Sequence, residues 1–185
     1  MVTASTHKEY RELVEKLVKN NSETRISNGQ SAHAAILIEN MFRHANSDIR
    51  IYSGDLNNEV YNGKTVIQAA IKFLKKSGTS LKILLQNKRD AQWFNSHELI
   101  KAIAEQKAEL MGSFDIRIAE GVYATNEAHH FAVMDDKGFR YEIDHANCKA
   151  IASFNEPGSA KKMVEVFDFV FEKQSDNTPI DLKIH

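Results

Sequence analysis

The period of the apolar residues switches back and forth along this chain, and the switching limits the folds open to it. Tyr10, Leu13, Leu17 and Val18 recur at helical spacing behind Thr6-His7-Lys8-Glu9, which has the form of a capping box. A helix is therefore predicted over residues 6–20, ended by Asn20-Asn21-Ser22. A second helix is predicted from Ser31 to Asn46, with Ala35, Ile38, Met41, Phe42 and Ala45 on one stripe. Ile49-Arg50-Ile51-Tyr52 then alternates as a strand, and a polar loop runs from Gly54 to Gly63. Val66, Ala69, Ala70, Phe73 and Leu74 mark a third helix that stops at Gly78, and Leu81 to Leu85 reads as a buried strand. Ser96 caps a fourth helix with Leu99, Ile103 and Leu110 inward, ending at Gly112, and Phe114 to Ile118 is the next strand. Strands separated by helices need crossover connections, which imply parallel pairing with helices on the faces of the sheet.

The pattern then changes. His130 to Met134 and Phe139 to Ile143 bracket Asp135-Asp136-Lys137-Gly138, whose Asp and Gly signal the turn of a β-hairpin. Ala150 to Phe154 forms one more strand, and Asn155-Glu156-Pro157-Gly158-Ser159 opens a helix with Met163, Val166, Phe167, Val170 and Phe171 inward. A polar tail over residues 174–185, with Pro179, follows. No repeat or linker interrupts the chain, so a single domain over residues 1–185 is expected. The fold class is α/β: a mixed, mostly parallel sheet with helices on both faces and a β-hairpin.

Charge narrows the functional classes. Lys plus Arg is 24 and Asp plus Glu is 25, so the chain lacks the basic excess of a dedicated non-specific nucleic-acid binder. A local basic patch stays open. The single Cys148 makes no internal disulfide, which fits a reducing compartment. Met1 to Asn20 is a charged helical pattern rather than a secretory signal, and no stretch approaches the ~18 apolar residues of a membrane span. A soluble, cytoplasmic protein is expected.

The chemistry concentrates in Ala128-His129-His130-Phe131-Ala132-Val133-Met134-Asp135-Asp136, followed by Lys137-Gly138-Phe139-Arg140-Tyr141-Glu142. Paired histidines open an apolar strand that ends in paired carboxylates. This stretch resembles the motif strand of the phospholipase D-like superfamily, H-x-K-x(4)-D, commonly followed by G-S-x-N. The element order from Ser31 to Lys173 is similar to that of the family as well, including a long closing helix after Asn155-Glu156-Pro157.

The resemblance implies metal-free phosphodiester chemistry with no cofactor. One histidine attacks phosphorus, and a second, from another motif copy, protonates the leaving group. An imidazole suits both tasks because it titrates near neutral pH. A cation stabilises the charge on the transferring phosphoryl group. Two registers fit. In the first, His130 takes the lysine position, Asp135 the aspartate position and Ala128 the nucleophile position. In the second, His129 is the nucleophile, Asp136 the aspartate, and Phe131 replaces lysine. Both lose the lysine, for which Arg140, Lys137 or Lys149 is a substitute. The first register places Phe131 and Val133 on the core face and His130 with Ala132 on the site side. The plain alternative is one satisfied strand histidine and one surface histidine.

Other residues are weighed in the same way. Arg140 and Glu142 share a strand face, either as a cross-strand ion pair or as ligand-binding groups with Arg140 replacing the lysine. Ala152-Ser153-Phe154-Asn155 resembles G-S-x-N, which would make Ser153 and Asn155 phosphate ligands; the plain reading is a turn with Asn155 capping the helix. Glu142, Asp144, His145 and Cys148 match no zinc spacing, so no metal is expected. Trp93 and Phe94 read as a packing anchor.

Two functions follow. One is a phospholipase D-like module with an altered half-site that binds a phosphate-bearing ligand or a protein partner, with weak or no catalysis, in a larger bacterial complex. The other is an active phosphodiesterase or nuclease working as a homodimer through His129 or His130. One motif copy supplies half a two-histidine site, so the resemblance implies a homodimer, with a patch around Asp135 to Arg140, Ser153 and Asn155.

Overall fold

A computed structural model describes residues 6–124, 130–144 and 149–173. His129, His145 and Cys148, and the tail over residues 174–185, lie outside the described residues. In chain order the elements are α1 (His7–Lys19), β1 (Ile26–Asn28), α2 (Ser31–His44), β2 (Asp48–Ser53), α3 (Asn58–Tyr61), α4 (Lys64–Leu74) and β3 (Ser80–Leu85). Then come α5 (Ala91–Ser96), α6 (Glu98–Glu105), β4 (Ser113–Ile118), β5 (Phe131–Met134), β6 (Gly138–Asp144), β7 (Lys149–Ser153) and α7 (Pro157–Lys173). Short 3-10 turns cover Lys107–Glu109 and Gly121–Ala124.

The α1 capping box is complete. Thr6 Oγ1 accepts from the Glu9 amide at 3.2 Å, and the Glu9 carboxylate accepts from the Thr6 amide at 3.0 Å. The predicted fourth helix is broken in two. Ser96 closes α5 instead of capping α6, whose N-cap is His97. Inside the loop expected from Gly54 to Gly63, Asn57 caps the single turn of α3 by accepting from the Glu59 amide.

Among the described residues the strands form one sheet in the order β1-β7-β6-β5-β2-β3-β4. Only β2–β3 and β3–β4 pair in parallel; β1–β7, β7–β6, β6–β5 and β5–β2 are antiparallel. The sheet is mixed, as expected, but the expected parallel majority is corrected. Among the described residues no crossover helix separates β5, β6 and β7, and each later strand folds back on its neighbour.

Helices cover both faces. Ile49, Ile51, Leu81, Ile83, Ala132, Met134 and Ala152 pack with α1, α2, α4 and α6 in the larger core. Tyr52, Leu84, Phe131 and Val133 meet Ala160, Phe167, Val170 and Phe171 of α7 on the other face. All four residues of β5 are therefore buried, and Ala132 belongs to the core rather than to an open site face. On α7, Val166 is 52% exposed, against the expectation that it faces inward.

Candidate functional site

Parallel strands leave a crevice at their carboxyl ends where the chain turns away to the next helix, and ligands favour such crevices. Here the ends of β2 and β3 open a cavity of about 330 Å³. Gly54 and Asp55 leave β2 at its rim, and Gln86 and Asn87 leave β3. His130 enters β5 there, and Arg140 and Glu142 project from β6.

The β5–β6 register brings these last three together. Ala132 pairs with Arg140, and the Glu142 amide donates to the His130 carbonyl at 2.9 Å, extending the ladder by one step. Strand alternation then puts His130, Arg140 and Glu142 on one face. Both ring nitrogens of His130 are engaged: Nδ1 lies 3.2 Å from Glu142 Oε2 and Nε2 lies 2.8 Å from Gln86 Oε1. Arg140 Nη1 donates to Glu142 Oε1 at 2.7 Å, and Nε donates to Asn28 Oδ1 at 3.3 Å. Its buried Nη2 has no partner among the described residues. Buried Tyr61 completes this wall, and burial pushes its phenol far above the ordinary value.

The structure unites part of the predicted set. His130, Arg140 and Glu142 line the cavity; Asp135, Ser153 and Asn155 do not. Asp135 sits at the opposite end of β5, in the left-handed region at φ 53°. Its Oδ1 accepts from the amides of Asn46, Ser47 and Asp48 at 3.1, 3.0 and 3.1 Å, which makes it a clamp between the hairpin turn and the α2–β2 junction. Buried Ser153 donates to the Glu23 carbonyl at 3.4 Å, and Asn155 donates to the Asn21 carbonyl at 3.1 Å, so both tie β7 to the α1–β1 connection. Of the other substitute cations, Lys149 lies 3.6 Å from Asp144, and Lys137 sits in the hairpin turn. Phe131, the lysine position of the second register, packs edge-on against Tyr52. His129 lies outside the described residues.

Gln86 and Gly54 escape a reading from motifs. Each follows the last residue of a parallel strand, and that position is the one signal that points to them. A Cβ on Gly54 would lie 3.1 Å from His130 Cε1 and 3.2 Å from Nε2. Gly54→Ala is expected to tilt the ring away from Gln86 at a stability cost below ~1 kcal/mol. The His130 imidazole resonances read the tilt; unchanged resonances would refute the close approach.

The rim loop is anchored from below. Leu56 adopts the left-handed region at φ 52° although fully buried, a conformation that costs a leucine energy. Its amide donates to Ser53 Oγ at 3.1 Å, and its carbonyl accepts from buried His97 Nε2 at 2.9 Å. Burial lowers the His97 pKa from 6.5, and the Leu56 hydrogen bond offsets only part of the shift. The folded chain thus binds fewer protons than the unfolded chain just below that value. This contribution to stability is complete above pH 6.5 and is lost as the pH falls. His33 and His44 are shifted the same way, chiefly by burial. Stability from denaturant titrations on either side of that pH should change less with pH in His97→Gln than in the wild type.

The fold is phospholipase D-like. Nuc from Salmonella typhimurium, a phospholipase D family member, is similar with a TM-score of 0.51 and 16% identity, over 84% of this chain and 98% of that one. NucT from Helicobacter pylori is similar with a TM-score of 0.52 and 8% identity, over 80% and 96%. TrmBL2, an archaeal chromatin protein with a novel mode of DNA binding, is similar with a TM-score of 0.58 and 16% identity. That match covers 90% of this chain, which spans 59% of the TrmBL2 chain. At such identities the likeness is one of fold. The chain belongs to the family described as domain of unknown function DUF7931, which it matches over residues 29–180. No curated protein matches it. No helix among the described residues is long and apolar enough to cross a membrane.

Proposed function

We propose that this chain is a phospholipase D-like module whose cavity at the ends of β2 and β3 binds a phosphate-bearing ligand, a phosphodiester or nucleic-acid strand, with weak or no cleavage. The observation that carries the reading is the buried, unpartnered Nη2 of Arg140 at the cavity wall, beside a His130 ring that Glu142 and Gln86 hold in place. Arg140 supplies positive charge beside it, and an anionic oxygen would satisfy its unpartnered Nη2. The carboxylate of Glu142 already offsets that charge, and losing a charge-stabilising group costs such sites ~10²–10³ in rate. In this reading Arg140 is the ligand-binding group, with His130 beside it and Glu142 and Gln86 positioning the two side chains. Association as a homodimer or as a subunit of a larger complex belongs to the same reading.

Titration with inorganic phosphate and with a short single-stranded oligonucleotide tests it. Binding that is lost in His130→Ala, with no turnover, is expected; no binding of either probe would end the proposal. One observation favours the active alternative. A carboxylate oxygen 3.2 Å from Nδ1 is how acid–base sites orient an imidazole. Cleavage that survives chelator and disappears in His130→Ala would establish a phosphodiesterase in place of a binding module.

A further inference from the structure

Val122, Val166 and Phe169 are 75%, 52% and 54% exposed, and all three line one groove of about 790 Å³ beside α7. Tyr123, Tyr141 and Met163 form its floor and walls. With Ala160, Phe167 and Phe171 turned into the sheet, α7 carries a second, exposed apolar stripe, with Lys173 Nζ lying 4.0 Å from the Phe169 ring centroid. A contiguous exposed patch of this kind marks an interaction surface.

We infer that a second copy of this chain covers the groove, α7 packing antiparallel on α7 of the partner subunit about a two-fold axis at Phe169. The helix is self-complementary in that arrangement. Glu165, Phe169 and Lys173 are spaced four apart and share one stripe, and Glu165 and Lys173 are exposed. An antiparallel two-fold through Phe169 sets Glu165 against Lys173 of the partner subunit, and the contact repeats by symmetry. Phe169 and Val166 then enter the facing groove. An anionic membrane would select a basic face, whereas here Glu165 and Glu172 are interspersed with Lys162 and Lys173. The patch expected from the motif offers far less apolar surface, because Phe139, Arg140 and Ser153 within it are buried. The inference deepens the homodimer part of the proposed function and is independent of the ligand in the cavity.

Sedimentation equilibrium of the full chain at micromolar concentration tests it. The wild type should be a dimer, and Phe169→Asp a monomer with unchanged circular dichroism. Glu165→Lys or Lys173→Glu alone places like charges in contact twice per dimer and should weaken association about tenfold. The two combined should restore it. A wild-type dimer indifferent to all of these variants overturns the surface and leaves the homodimer reading standing. A wild-type monomer overturns both. Flotation of a monomeric wild type with phosphatidylserine vesicles, abolished by Phe169→Asp, would assign the face to membrane and overturn the inference. Oligonucleotide binding by the Phe169→Asp monomer reports on the cavity separately.

Discussion

Replacing Arg140 with methionine is expected to remove about 3–5 kcal/mol of stability, because deleting one member of a buried pair leaves the other charge uncompensated. Arg140 and Glu142 have side-chain exposures of 4% and 16%, so little water reaches either. The substitution strips Glu142 of its 2.7 Å partner and leaves the buried Asn28 Oδ1 without the Arg140 donor. His130 still faces that carboxylate. Urea unfolding measures the effect as a lower midpoint at unchanged slope. The double variant Arg140→Met with Glu142→Leu should recover much of the loss, since the remaining charge goes with its partner. A single-variant loss below ~1 kcal/mol would show that the pair behaves as a surface pair. The comparison also bears on the proposed ligand, because binding should stay absent in the double variant even where stability returns.

Asp135→Ala is the second large effect, at about 3–4 kcal/mol. Bonds to a charged acceptor are worth ~1.5–3 kcal/mol, and alanine at a left-handed position costs another ~1–2 kcal/mol. Asp135→Gly keeps the backbone conformation and should cost about 1 kcal/mol less than alanine. Asp135→Asn keeps both the conformation and an acceptor and should be the mildest of the three. Amide exchange at Ser47 and Asp48 should accelerate in the same order. Protection that stays equal across the series would remove the clamp from the account of the fold.

The motif match gives the right fold, while some of the residues attached to it lie away from the cavity. In sequence, Asp135 looks like a catalytic aspartate because only its own strand is visible. The amides it serves lie 87 to 89 positions earlier and carry no signature of their own. The contacts of Ser153 and Asn155 are hidden for the same reason, since their partners are backbone carbonyls of a distant connection. Arg140 and Glu142, by contrast, are legible: period-2 alternation fixes their shared face wherever the strand lies. The hairpin is legible because turn chemistry is local. Strand β1 is not, since three residues, Ile26–Asn28, are too few to establish a period. The rotation of α7 is hidden as well. Its apolar residues occupy more than one stripe, and only the sheet beneath decides which of them is buried.

The pairing of β2 with β5 has a consequence for the newborn chain. On one side β2 takes β3, which follows after a single crossover and assembles early. On the other side its partner is β5, more distant along the chain and beyond β4. During synthesis at ~5–20 residues per second, the parallel half forms while one margin of β2 still carries bare amides and carbonyls. Closing so long a loop is entropically slow, and until the hairpin emerges that margin is open to any passing extended chain. The strand that supports the cavity in the finished fold is thus open along one margin while the fold is being made.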